Sequence, residues 1–431
     1  MTESRLADPG EDLHPAADTP VPSRAAGLRR LADFAPRSAA YARIRNFDLP
    51  PHRGVSRLSP WLRHRLVLES EAVTAAWSAR SPEATEKFTA EVLWRTYWKG
   101  WLQLRPQVWN AYVRAWRHDL DALAGGERER YEAALAARSG IDCFDAWVSE
   151  LIGTGYLHNH ARMWFASIWV FTLRLPWTLG AAFFLRHLLD GDPASNTLSW
   201  RWVAGLHTQG KHYLARADNI ARYTQGRFDP RGLLDESAES LSEVGVDLRS
   251  RPLPEPEHPH ADRPSALLIT PEDLTPERSP LAGLPLVGVI GGWDGTVESE
   301  LDLAPGIAAF TRAALEDGMA RAEDAFGTPL VHLDDAHWLD DARERILALG
   351  VDQAVTLEAP VGPWRDRLDA LGASLETNRV HLVRVRRLWD STLWPGATHG
   401  FFRFRQYADA RDRLGELVRA SPESSVLESA A

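Results

Sequence analysis

GTGYLHNHARMWFASIWVFTLRLPWTLGAAFFLRHLLDGDPASNTLSWRW, Gly153 to Trp202, is the stretch that decides how this chain is read. A polar cluster (His158, Asn159, His160, Arg162) opens it, and a long apolar run of helical character follows. An acidic turn, Asp190-Gly191-Asp192, then leads to a Trp-x-Trp. A helix that only fills a core does not need polar groups on both sides of its apolar run, so the stretch is read as the functional centre. Arg174 and Arg186 interrupt the run before it reaches the roughly 18 uncharged residues of a membrane span, so no membrane segment is expected.

Working outward to the N-terminal side, IDCFDAWVSEL (141–151) is an amphipathic helix leading into the centre. EATEKFTAEVLWRTYW (83–98) has helical spacing, with Phe88, Val92 and Leu93 apolar and Glu91, Trp94, Arg95 and Trp98 beside them. Glu91 and Arg95 stand four apart, the spacing of a surface ion pair. VSRLSPWLRHRLV (55–67) passes from loop to helix start at Ser56, Ser59 and Pro60; its amides and hydroxyls suit a phosphate, and a plain N-cap has the same signature. Residues 27–47 alternate Arg-rich amphipathic helix with loop, and 1–25, rich in Pro, Asp and Glu, read as a disordered tail with no signal peptide. Few strand signals occur between Trp200 and Phe228, so 26–250 reads as one helical domain.

Composition changes at Arg251. RPLPEPEHPHADRP (251–264) is a stiff, Pro-rich linker, and beyond it short apolar runs at 266–270, 284–290, 329–333, 353–357 and 380–385 alternate with helical patterns near 307–325, 338–349 and 362–373. That alternation predicts a Rossmann-like parallel α/β domain over 265–418, followed by a disordered tail, 419–431. Gly291-Gly292 is a strand-end turn, not a dinucleotide fingerprint.

The composition, 44% hydrophobic and 25% charged over 431 residues, is that of a globular chain of two to three domains. A lone cysteine, Cys143, excludes a disulfide framework and fits a reducing, cytoplasmic address. His158 and His160 are two apart and would point to different faces of a helix, so no metal is expected. The net charge of −10 is uneven: residues 251–431 carry −12 and residues 1–250 carry +2, so the first half could offer phosphate a basic face through Arg63, Arg65, Lys99, Lys211, Arg216 and Arg222. Eighteen tryptophans, most between 61 and 202, suit either a dense aromatic core or aromatic chemistry.

Six segments in order resemble the FAD-binding domain of the DNA photolyase and cryptochrome family, over roughly residues 40–230. VSRLSPWL is similar to the family's TSxLSPYL, EVLWRTYW to ELxWREFY, TGYLHNHARM to TGWMHNRxRM, DGDPASN to DxDxxxxN, SWRW to GWQW, and YTQGRFDP (223–230) to TTQGxKFDP. In that family an α/β domain comes first. Here an α/β pattern follows, and ALLITPEDLTPERSPLAG and FFRFRQYADA resemble that domain's first and closing segments, which implies a circular permutation. An α/β addition of other origin is the alternative.

The resemblance implies that Tyr41, Ser56, Arg57, Leu58, Ser59, Phe88, Arg95, Arg162, Asp190 and Asp192 hold a U-shaped FAD, with Asn196 facing flavin N5. It implies that Glu91, Trp94, Asn159, Met163 and Trp202 line the opening for a flipped pyrimidine dimer, stacked on the two indoles. Trp200 and Trp177 fit the proximal and middle positions of an electron-transfer chain, with Trp116 a guess for its outer end, and His160, Arg216 and Gln225 would lie toward DNA. An antenna pigment is left open.

The chain also departs from the family. Val55 removes a phosphate-binding hydroxyl, His160 replaces an arginine that contacts DNA phosphate, and Arg201 stands between the indoles. The leading expectation is a light-driven, FAD-dependent photolyase acting on damaged DNA. The alternative is a cryptochrome-like photoreceptor that signals to a protein partner without repair, and a third reading is a helical interaction module whose flavin pocket is dead.

Overall fold

The computed structural model describes residues 20–333 and 335–420. Twelve helices build the first part: α1 (Arg24–Phe34), α2 (Tyr41–Ile44), α3 (Ser59–Arg63), α4 (Glu69–Ala79), α5 (Glu86–Gln103), α6 (Pro106–Ala122), α7 (Gly125–Leu135), α8 (Asp142–Thr154), α9 (Asn159–Ser167), α10 (Trp177–His187), α11 (Pro193–Ala204) and α12 (Ala217–Tyr223). The punctuation is chemical. Gly155 ends α8 and Gly205 ends α11 in the left-handed conformation. Asp192 caps α11, accepting a hydrogen bond from the Ser195 amide, with Pro193 in the first turn. The apolar run after α9 passes through a π-helical segment, Ile168–Thr172, before α10. Two sequence expectations need correction. From Thr224 to Pro264 the chain is irregular, so the helical region stops short of residue 250, and α1 begins inside the stretch read as a tail. Residues 1–19 and 421–431, read as tails, lie outside the described residues.

The second part is a five-stranded parallel sheet, β1 (Ser265–Ile269), β2 (Leu286–Gly291), β3 (Leu330–His332), β4 (Gln353–Leu357) and β5 (His381–Val385), in the order β3-β2-β1-β4-β5. Helices α13 (Gly295–Glu300), α14 (Pro305–Phe326), α15 (Trp338–Ala348) and α16 (Pro363–Glu376) form the later crossovers, and α17 (Leu388–Leu393), α18 (Phe401–Asp409) and α19 (Arg413–Arg419) close the chain. Period-two alternation sorts the faces. Leu267, Ile269, Val289, Val355 and Val383 share a core with the helical part, whereas Ala266, Leu268, Ile290, Ala354 and Leu382 pack with Trp338 and Trp364 of α15 and α16.

The strand order reverses between β1 and β4, where open α/β sheets form a ligand crevice. Here the helical part enters that crevice. Arg63 donates to both carboxylate oxygens of Glu272 at 2.8 and 2.7 Å, and His64 Nδ1 lies 2.8 Å from the Pro271 carbonyl oxygen. The cavity left there is about 40 Å³, far below the several hundred Å³ of an ordinary small-molecule site. Beside it Arg65 reaches Glu69 (3.2 Å), Asp273 (3.3 Å) and Asp390 (2.7 Å), and Arg387 grips Asp273 at 2.6 and 2.7 Å. All of these side chains are buried. Burial pushes the His64 pKa down to about 3, with the neighbouring Arg63 guanidinium adding to the fall, so the ring is neutral.

Candidate functional site

Helix α5 carries Glu91, Arg95 and Lys99 four residues apart, so the three charges form one stripe. The stripe faces inward. The expected surface pair of Glu91 with Arg95 does not form, because Arg45 on the turn after α2 pairs with Glu91 instead. Burial raises the Glu91 carboxyl above its ordinary range against the pull of Arg45. Its side chain nevertheless keeps 30% accessibility. Tyr41, bonded to Arg45, lies on the same wall; burial and then Glu91 raise its phenol.

The acidic turn closes the opposite side. Arg162 donates to both Asp190 oxygens at 3.0 Å and through Nε to the Leu157 carbonyl at 2.8 Å. Asp192 lies 3.5 Å from Arg95 and from Lys99. Burial opposes ionisation of Asp192, but Lys99, Arg95 and Arg63 outweigh it and hold the carboxyl well below the usual range. Asn196, one turn into α11, donates its amide to the Ala181 carbonyl at 2.8 Å, which leaves its carbonyl end for a ligand. Arg95 Nε, Lys99 Nζ, Ser195 Oγ and Thr197 Oγ1 are buried with no hydrogen-bond partner among the described residues. Such groups are costly to bury without water or a bound group to satisfy them, although Asp192 and Glu69 stand within ion-pair reach of Lys99 and Arg95.

Ser56 to Ser59 form the rim. Arg57 takes a left-handed φ of 54°, its guanidinium lies 4.8 Å from the Tyr156 ring centre, and Arg162 approaches that ring at 5.8 Å. Ser59 bonds the Asp190 carboxylate. Leu58 is fully buried, and Phe88 packs on Phe34 (4.9 Å) and Tyr41 (5.8 Å). These contacts gather Ser59, Arg162 and Asp190 into one cluster, Arg95 and Asp192 into a second, and Tyr41 and Phe88 into a third.

The expected opening is less uniform. Trp94 stacks face to face on Phe401 of α18 at 3.8 Å and 8°, so the C-terminal part covers one face of that indole. Trp202 lies against Tyr213 at 5.9 Å and 24°, Met163 is half-buried and Asn159 is exposed. His160 stacks on Trp164 at 3.9 Å, and its Nδ1 is 2.9 Å from the Asn46 carbonyl oxygen. Burial lowers its pKa, so it offers no cation to a phosphate. Arg216 and Gln225 are exposed at the two ends of α12. Of the basic face expected from sequence, Arg63, Arg65 and Lys99 are buried, because carboxylates inside the fold take their charge. Lys211, Arg216 and Arg222 are exposed.

Trp200 is buried, edge-on to Phe184 (5.1 Å) and Trp169 (6.3 Å). Trp177 contacts Tyr112 at 5.5 Å, and Tyr112 stacks on Trp116 at 6.4 Å. Sequence reasoning missed Arg45, Tyr156, Lys99 and Phe401 as parts of this site. The four-residue stripe on α5 signalled Lys99, and Arg45 stands one turn after Tyr41. Phe401 had no local signal, because its partner lies about 300 residues away.

Fold and site define a helical flavin-binding domain joined to a Rossmann-like sheet. Residues 88–236 match the model of the FAD binding domain of DNA photolyase. A deoxyribodipyrimidine photo-lyase of Streptomyces griseus is 35% identical over 178 residues, 38% of each chain. One from Thermus thermophilus is 34% identical over 234 residues, 52% of this chain and 51% of the relative. A solved Synechocystis cryptochrome is 25% identical with a TM-score of 0.41, covering 49% of this chain and 44% of its own. The chain thus spans about half the length, or less, of the curated relatives it matches.

Proposed function

We propose that this protein is a light-driven, FAD-dependent DNA photolyase acting on cyclobutane pyrimidine dimers. Bound reduced FAD would supply the light-driven one-electron chemistry, held by Arg95, Arg162 and Asn196. The observation that carries the reading is Glu91: a carboxyl raised above its ordinary range by burial, held by Arg45 and still 30% accessible. Neutral, it donates a hydrogen bond to a base carbonyl as negative charge develops there.

The other residues hold and orient. Arg162 and Arg95 supply cationic charge for a pyrophosphate or a reduced ring, and Asp190 and Asp192 fix those guanidiniums in place. Asn196 presents a carbonyl to an N–H donor, while Ser56, Arg57 and Ser59 offer rim donors, and Tyr41, Leu58 and Phe88 supply the apolar wall. Trp94, Trp202, Met163 and Asn159 receive the flipped bases, and Arg216 and Gln225 flank the strand. Trp177, Tyr112 and Trp116 form an aromatic series, and Trp200 is assigned the position nearest the flavin. The C-terminal part is proposed as the family's α/β domain in permuted order; the docking of Glu272 on Arg63 of α3 and of α17 and α18 on α5 supports this.

The test is illumination of flavin-loaded, reduced protein with dimer-containing oligothymidine, read by chromatography. Intact dimers after exhaustive blue light would end the proposal. One observation favours a photoreceptor without repair: one face of Trp94 is covered by Phe401. That reading expects light-driven flavin redox change and intact dimers.

A further inference from the structure

The spacing of His158 and His160 speaks against a metal on that pair, yet the fold assembles a different set of ligand types. His52, on the loop between α2 and α3, stands between Asp48 of the same loop and Glu150 of α8, and one ligand atom of each lies within 4.8 Å of the others. Asp48 is fully buried and His52 is 5% exposed. Glu150 forms the solvent edge, with 20% of its side chain accessible.

The partners decide where the protons sit. His52 Nε2 lies 2.6 Å from Glu150 Oε1, and a carboxylate only accepts, so that nitrogen carries the hydrogen. Nδ1 then holds a lone pair. It faces Asp48 Oδ1 at 3.5 Å, and both atoms are buried without a hydrogen-bond partner among the described residues. The other Asp48 oxygen is taken, because Oδ2 accepts from Trp147 Nε1 at 2.9 Å and from Arg227 at 2.8 Å. Two lone pairs turned toward each other out of water call for a positive centre between them. Burial raises the Asp48 carboxyl above its ordinary range, and Arg227 and His52 do not offset it, so this corner of the fold is short of positive charge. The separation suits an ion as well: tetrahedral bonds of roughly 2.0–2.2 Å hold neighbouring ligand atoms about 3.4 Å apart. An imidazole that binds a metal through one nitrogen is typically held by a carboxylate on the other, which is the place Glu150 occupies.

We propose that Asp48 Oδ1 and His52 Nδ1 bind a divalent transition cation of the zinc class, with Glu150 orienting the imidazole and water filling the remaining positions. The ion would fasten the turn that leads to the Ser56–Ser59 rim and, through His52 and Glu150, tie that turn to α8. The inference does not depend on the lyase reading.

The experiment titrates the flavin-loaded full chain, stripped with a chelator and dialysed, with zinc against a chromophoric chelator and with cobalt followed by visible absorption. Asp48→Asn, His52→Gln and Glu150→Gln are measured beside a control, His381→Ala, whose exposed ring lies 2.6 Å from Glu376. Flavin absorbance and the metal-free melting midpoint report whether each variant is folded. Wild type and the control should take up one zinc per chain at this site, show the strong visible bands of four-coordinate cobalt, and melt higher as zinc is added. Asp48→Asn and His52→Gln should lose that equivalent, and Glu150→Gln should bind roughly 10–100-fold more weakly. Absence of the equivalent in wild type overturns the inference, and His52 is then a charged bridge between two carboxylates. A folded His52→Gln that keeps the equivalent also overturns it, as does a Glu150→Gln that binds as tightly as wild type. Glu150 lies at the protein surface, so its variant reads the site even where a change at buried Asp48 or His52 disturbs the loop.

Discussion

Replacing Arg65 with leucine removes the cation shared by Glu69, Asp273 and Asp390. All four side chains are 3% exposed or less, so water cannot take over. Asp273 keeps Arg387, and Glu69 keeps Arg95 at 3.9 Å, but Asp390 loses the guanidinium that faces it at 2.7 Å. Breaking a buried pair from one side costs about 3–5 kcal/mol. At about 2–4 °C per kcal/mol for a large domain, the melting midpoint should fall by roughly 6–20 °C. The loss should also depend on pH. Burial already raises the Asp390 carboxyl against the pull of Arg65, and Glu69 is held low because Arg65, then Lys99 and Arg95, outweigh its own burial. Without Arg65 both folded-state values rise, so the variant's folded state binds more protons than wild type's. Its relative stability should therefore fall as pH rises and recover as pH drops from 8 toward 5. Thermal unfolding followed by circular dichroism and by flavin release, at several pH values, reads both effects. A loss below about 1 kcal/mol, or a deficit the same at pH 5 and pH 8, would refute the account of a buried charge hub.

Glu91→Ala, which removes the donor, should keep flavin absorbance and lower the dimer-repair rate on the order of a hundredfold, measured under saturating light; unchanged repair removes Glu91 from the chemistry. In Gly180→Ala the new methyl would meet Trp200 Cη2, and Cζ3 at 2.5 Å, so overpacking should cost about 1–3 kcal/mol and shift tryptophan emission; a wild-type denaturation curve would argue against that packing. Phe401→Ala should destabilise by about 3 kcal/mol or more while freeing one face of Trp94, so dimer affinity should rise as the midpoint falls; loss of both would make Phe401 a support of the site, not a cover.

How much of this was legible in sequence depends on range. The five strands fell within one or two residues of the apolar runs because the central strands β1 and β4 are buried along their length and the runs have clear ends. The acidic turn and the helical spacing of Glu91 and Arg95 were visible because helix spacing and capping are local. Residues 224–250 were not, since nothing local separates an irregular polar segment from a weak helix. Partnerships across the chain were not legible at all. Arg63, Arg65 and Lys99 read as surface charges until the fold brought Glu272, Asp273, Asp390 and Asp192 to them. Trp94 read as open until Phe401 arrived from the other end.

The arginine hub on α3 also bears on what a cut in the chain would do. Residues 224–264 run as irregular backbone between the two parts, with many exposed positions, and a protease would nick them readily. The nicked protein should nonetheless migrate as one particle. Pulling the pieces apart would strand Arg63 and Arg65 on one fragment and Glu272, Asp273, Asp390 and Arg387 on the other, while stripping one side from Trp94. Two separately expressed halves should therefore find each other and restore the flavin site without a peptide bond between them. Chain order would then be a detail of synthesis rather than a condition of the fold.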